Sequence, residues 1–127
     1  DKEGNRLHGA IDDVLRKGKK LIILDFKTRG FPLKADTAAF YQDKLDLYAF
    51  WFEENGFETE DYAYLLFYYP RQVLENGDVA FHSELVKMSV SVKNAERILK
   101  RALDVLTGPM PKADDECGFC RWHETSF

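Results

Sequence analysis

Apolar residues recur at strand spacing in two separated blocks of the chain and at helical spacing in two others. Residues 6–15 (RLHGAIDDVL) and 20–27 (KLIILDFK) read as strands joined by the turn RKGK. Residues 36–55 carry a helix, with Asp36 at the N-cap position and Asn55–Gly56 as its stop. One stripe of that helix is Tyr41, Leu45, Tyr48 and Phe52; a second is Phe40, Leu47 and Trp51. Residues 61–70 and 78–90 form another pair of strands, with Asn76–Gly77 as the tight turn between them. Residues 92–106 form a second amphipathic helix that turns Ala95, Ile98, Leu99, Ala102 and Leu106 inward. Gly108–Pro109 and Pro111 end it, and a polar tail, 109–127, follows. The order ββαββα predicts a layered α/β or α+β domain with a sheet of about four strands.

The first hairpin sorts charge from apolar surface. A two-residue loop at Lys17–Gly18 sets Asp12 opposite Ile23 and Ala10 opposite Asp25. Asp12, Asp25 and Lys27 then project from one face, and Gly9, Ile11, Ile22, Leu24 and Phe26 from the other. A one-residue change of loop destroys this sorting. Two carboxylates and an ammonium on one face of an apolar sheet suit Mg²⁺ or Mn²⁺, which prefer oxygen ligands and leave positions for water and phosphate oxygens. A lysine beside them can position the attacking water and stabilise charge on phosphorus. The same triplet also suits an exposed hairpin end with a solvated Asp–Lys pair, and spacing alone leaves both readings open.

Composition narrows the class. At 127 residues, with ten Phe, six Tyr and two Trp, the chain has the size of one domain with a large-ringed core. Its net charge of −4 argues against holding nucleic acid through a global field, though not against a local basic patch. No apolar run reaches the length of a membrane span, and no signal-peptide pattern opens the chain. Cys117 and Cys120, two residues apart, suit metal or redox chemistry better than a disulfide framework, and the expected location is cytoplasmic. No Gly-rich phosphate loop, nucleophile–base pair or dinucleotide fingerprint is present.

At GAIDDVL followed by LIILDFKTRG the chain resembles the PD-(D/E)XK nuclease superfamily, in its RecB-like and Cas4-like branch. The family's Gly-x-x-Asp strand is matched by Gly9 and Asp12, and its Asp/Glu-x-Lys strand, often followed by Thr, by Asp25, Lys27 and Thr28. A helix with Gln-x-x-x-Tyr follows in the family; here Tyr48 matches, Lys44 stands where Gln is usual, and Gln42 falls two residues early. The resemblance covers residues 6 to about 106. It implies a restriction-endonuclease-like α/β fold with a central mixed sheet of about four strands flanked by helices. It also implies metal-dependent hydrolysis of DNA phosphodiesters. Asp12, Asp25 and the Phe26 backbone carbonyl would be metal ligands, and Lys27 would orient or help deprotonate the attacking water. Thr28, Arg29, Lys44 and Tyr48 would meet the substrate. The family's further ligand helix, ahead of Gly-x-x-Asp, would precede residue 1, making residues 1–127 a single nuclease-like domain without that helix.

Relatives with a 4Fe–4S cluster use one cysteine ahead of the nuclease motifs and three in the tail. Here Cys117 and Cys120, with His123 nearby, form a possible second metal site, for an iron–sulfur cluster or zinc only if ligands from outside this chain contribute. The expected function is a Mg²⁺- or Mn²⁺-dependent deoxyribonuclease of exonuclease type in recombination, repair or CRISPR and phage defence. DNA would be its substrate, helicase or CRISPR/recombination proteins its partners, and no membrane is involved. The alternative is a catalytically inactive nucleic-acid-binding or assembly module with the same fold.

Overall fold

A computed structural model describes the backbone of residue 4 and residues 6–126, with side chains through residue 122. Four strands form one mixed sheet in the order β1-β2-β3-β4: β1 (Asp13–Lys17), β2 (Lys20–Thr28), β3 (Tyr62–Val73) and β4 (Val79–Ser89). Between β2 and β3 lie a 3-10 turn, Thr37–Tyr41, and helix α1, Gln42–Glu54. Helix α2, Val92–Thr107, follows β4, and α3, Gly118–Ser126, closes the chain. The chain divides into two compact units, Asp1–Arg97 and Ile98–Phe127. The candidate site lies wholly in the first.

β2 and β3 are parallel, so a long crossover must join them, and α1 supplies it. The two outer pairs are antiparallel hairpins. Gly77 takes φ +88° in the second hairpin, and Asn76 exchanges hydrogen bonds with Asp78 across the turn. In the first hairpin Gly18, at φ +62°, is the first loop residue rather than the second. Lys19 keeps a negative φ, the pattern of a turn that puts glycine first. The loop is therefore Gly18–Lys19, and the ladder runs from Lys17↔Lys20 to Asp13↔Leu24. This corrects the pairing of Asp12 with Ile23. Moving a two-residue loop by one position moves the pairing by two, so each side chain keeps its face.

The core lies between the sheet and α1. Ile23 of β2, Ala63, Leu65 and Phe67 of β3, and Leu45, Tyr48 and Ala49 of α1 are its buried members. Alternation along β3 puts Ala63, Leu65 and Phe67 inward, each of the two larger side chains contributing about 1.5–3 kcal/mol by burial. The opposite face carries Phe26, Leu66 and Leu85 side by side, with Phe26 and Leu85 exposed.

Further expectations need correction. Residues 6–12 are not part of a strand: Gly9 passes so close to Trp51 that a Cβ there would fall 2.0 Å from the indole ring, and Ile11 packs on the core. Gly9 and Ile11 thus leave the apolar face assigned to them. Phe40 belongs to the 3-10 turn, where the 3.6-residue period does not apply, and it is exposed. Of the inward stripe on α2, Ala95 is buried, whereas Ala102 and Leu106 are exposed. Within the tail lies α3, to which no element was assigned from the sequence.

Asp46 of α1, buried and with no ion pair among the described residues, accepts hydrogen bonds from Ser91 N (2.8 Å), Gln42 Nε2 (2.8 Å) and Asn94 Nδ2 (2.7 Å). Its carboxylate joins α1 to the first turn of α2, where backbone N–H groups lack helical partners.

Candidate active site

β2 enters the core as an unbroken apolar run and ends on polar residues. Within the ladder Asp25 lies beside Leu65, and Lys27 beside Phe67, both fully buried partners on β3. Asp25 itself is 0% exposed. A lone carboxylate there would cost several kcal/mol, and two ammonium groups offset that cost. Lys27 Nζ donates to Asp25 Oδ2, and Lys44 Nζ, from the first turns of α1, donates to Asp25 Oδ1 at 2.6 Å.

Burial and the paired charges act on these groups in opposite directions. Burial raises the Asp25 carboxyl, but the hydrogen bonds and charges of Lys27 and Lys44 outweigh it and hold the carboxyl below its ordinary value. Burial lowers the Lys44 ammonium, and its hydrogen bond to Asp25 overrides that and leaves it above the ordinary lysine range. Aromatic faces complete the setting: Lys27 Nζ lies 5.0 Å from the Tyr41 ring centroid and Lys44 Nζ 5.2 Å from that of Tyr48.

Asp12 joins the site through the backbone. The β1–β2 ladder stops at Asp13↔Leu24, so the next amide on that edge of β2, Phe26 N–H, has no strand partner. Asp12 Oδ2 accepts it at 2.9 Å. The Phe26 carbonyl accepts Lys27 Nζ at 3.2 Å. The segment leading to Asp12 is held by Tyr48, whose hydroxyl donates to the Ala10 carbonyl at 2.6 Å.

Sequence-derived site residues thus fall into groups. Asp12, Asp25, Lys27 and the Phe26 backbone come together at the end of β2. Lys44 meets Asp25, and Tyr48 is buried against the segment before Asp12. Thr28 and Arg29 line a cleft just beyond Lys27. Gln42 serves the Asp46 network and the Ser89 carbonyl instead of the site. Tyr41, which carries Lys27 on its ring, was not singled out as a site residue; its place in a helical stripe gave no sign of it.

The oxygen donors here are two carboxylates and a carbonyl, a hard set suited to Mg²⁺ or Mn²⁺ rather than to a soft metal. Among the described residues no three of His, Cys, Asp and Glu group as a metal site. Both Asp25 oxygens already hold lysines, so this set fits a divalent ion once Lys44 moves aside. Cys117 and Cys120 lie at the start of α3 and outside any disulfide. Hydrogen bonds from the Cys120 amide and thiol draw the Cys117 thiol below its ordinary value. The side chain of His123 lies outside the described residues. No helix among them is long and apolar enough to cross a membrane.

Among curated proteins the chain has no match. The family model described as the PD-(D/E)XK nuclease superfamily matches residues 2–125, spanning every element of the site just described, and the chain belongs to that superfamily.

Proposed function

We propose that the chain is a Mg²⁺- or Mn²⁺-dependent deoxyribonuclease of exonuclease type, acting in recombination, repair or defence against foreign DNA. The carrying observation is the fully buried Asp25, paired with Lys27 at the end of β2 and flanked by Asp12 on the Phe26 amide. Asp12, Asp25 and the Phe26 carbonyl would hold the ion, which supplies Lewis-acid polarisation of the phosphate and a more acidic water. Lys27, held between Asp25 Oδ2 and the Phe26 carbonyl, presents its ammonium to the same place and orients the attacking water there. Lys44, released from Asp25, takes a phosphate oxygen of the strand. Thr28 and Arg29 hold the neighbouring backbone. Cys117 and Cys120 are undisulfided, in keeping with a cytoplasmic protein, and would bind a cluster or zinc only with ligands from another chain or segment.

A second reading is a nucleic-acid-binding or assembly module that retains the fold without cleaving. It is favoured by the formal neutrality of the cluster, two carboxylates against two ammonium groups. End-labelled single- and double-stranded DNA incubated with Mn²⁺ separates the two. Metal-dependent cleavage that a chelator stops, and that Asp25→Asn loses while staying folded, supports the nuclease. Absence of cleavage from folded protein with intact DNA binding supports the module.

A further inference from the structure

We infer that the cleft beyond Lys27 is a base-stacking subsite for single-stranded DNA, which rests on the nuclease reading of the neighbouring site and names its substrate class. The cleft has a volume of about 520 Å³, within the range of roughly 300–1,000 Å³ typical of small-ligand sites. Two phenylalanines line it and stay in water: Phe31 is 54% and Phe40 79% exposed. A single exposed apolar residue is unremarkable, but two ring faces in one cleft, beside two cations, form a pattern suited to nucleotides.

Arg29 and Lys34 are the cations. The Arg29 guanidinium carbon stands 4.7 Å from the Phe31 ring centroid, and the Arg29 backbone N–H is tied to the Tyr68 carbonyl at 2.8 Å. The cation and ring are thus presented together at the end of the sheet. Asp36, also in the cleft, offers an acceptor for an exocyclic base amine. Tyr41 is shared with the candidate active site: it lines the cleft, and its ring carries Lys27 Nζ at 5.0 Å. A nucleotide stacked on Phe31 or Phe40, with its phosphate against Arg29 or Lys34, therefore lies one side chain away from the Asp25–Lys27 pair. Bases inside a duplex have both faces covered by neighbours and a blunt end frees one face of one pair alone, so an unpaired strand uses these rings best.

The test is equilibrium binding in a chelator, read by fluorescence anisotropy. The probes are a labelled eight-nucleotide oligothymidine, the same backbone with every base removed, and a blunt duplex. The expected result is oligothymidine binding about tenfold tighter than the abasic strand, with the duplex weaker than oligothymidine. Phe31→Ala and Phe40→Ala should each reduce oligothymidine binding about fivefold or more and leave abasic binding unchanged. Both side chains are exposed, and circular dichroism checks that the variants stay folded. Equal affinity for the thymidine and abasic strands, duplex binding as tight as oligothymidine, no binding, or indifference to both substitutions overturns the subsite. Because no metal or cleavage enters the measurement, failure of the nuclease reading shows separately, in the Mn²⁺ assay.

Discussion

Lys44 Nζ stands 2.6 Å from Asp25 Oδ1, so α1 delivers a second ammonium to a carboxylate that β2 has already paired with Lys27. The position of Lys44, four residues before Tyr48, is the one where the family usually has a neutral glutamine. Replacing an amide by an ammonium there adds a charge of the same sign as a metal ion. In the proposed metal site the two would compete for Asp25.

Lys44→Met should therefore strengthen Mn²⁺ binding. The Lys44 side chain is 40% exposed, so solvent screens part of its charge. An increase of about tenfold in affinity, roughly 1.4 kcal/mol, is expected from isothermal titration calorimetry. Unchanged or weaker Mn²⁺ binding by the folded variant would remove Lys44 as a competitor.

The pairing also sets a pH dependence of stability. Asp25 is held below its ordinary value of 3.8, so its contribution is present above that value and is lost as pH falls through the folded one. Lys44 is raised above 10.5, so its contribution is present below that value and disappears as pH rises through the folded one. Melting temperature should be flattest, with respect to this pair, between the two ordinary values. On acidification below 3.8, wild type should lose more melting temperature than Asp25→Asn does.

Lys27 is the residue whose loss should separate cleavage from binding. Lys27→Met should reduce single-turnover cleavage by about 10²-fold or more, since charge stabilisation acts in the transition state. DNA affinity should stay within about threefold of wild type, because one cation among several sets only part of the backbone attraction. A parallel loss of affinity and rate would recast Lys27 as a binding residue.

Gly9→Ala tests the segment that brings Asp12 to the site. The added Cβ would sit 2.0 Å from the Trp51 ring, a rigid group against the core. Melting should show a loss of about 1–3 kcal/mol. Tyr48→Phe removes the hydrogen bond to the Ala10 carbonyl at a cost of about 0.5–1.5 kcal/mol and should weaken Mn²⁺ binding through Asp12. Weakened stability with unaltered Mn²⁺ affinity would assign Tyr48 to folding alone.

Asp46→Ala should cost about 2–4 kcal/mol, more than Tyr48→Phe. It strands the Ser91 amide and the Gln42 and Asn94 side chains in a partly buried place. Urea unfolding measures it.

The parts of the fold that follow from alternation were legible in the sequence. The strands read at 61–70 and 78–90, and the turn at Asn76–Gly77 between them, come from local rules. Asp25 and Lys27 share a face because period two fixes it even when the turn is misplaced by a residue, whereas Asp12 lies outside β1 and meets them through the Phe26 amide. What local rules missed depends on distant chain. Residues 6–12 alternate like a strand, but their path is set by Trp51 and Tyr48 of α1. The Lys44–Asp25 contact exists only because the crossover lays α1 over β2, and the Asp46 network only because α2 begins beside α1.

The early end of β1 has a consequence for how such a site can be lost. This corner arises from a shortage of strand: two further pairs beyond Asp13↔Leu24, Asp12↔Asp25 and then Ile11↔Phe26, would engage the Phe26 amide and carbonyl in the sheet. Asp12 would then have nothing to cap, and the carbonyl would become a ladder acceptor, closed to the ion proposed for it. A lengthened hairpin would therefore silence this corner while leaving every charged side chain in the chain unchanged.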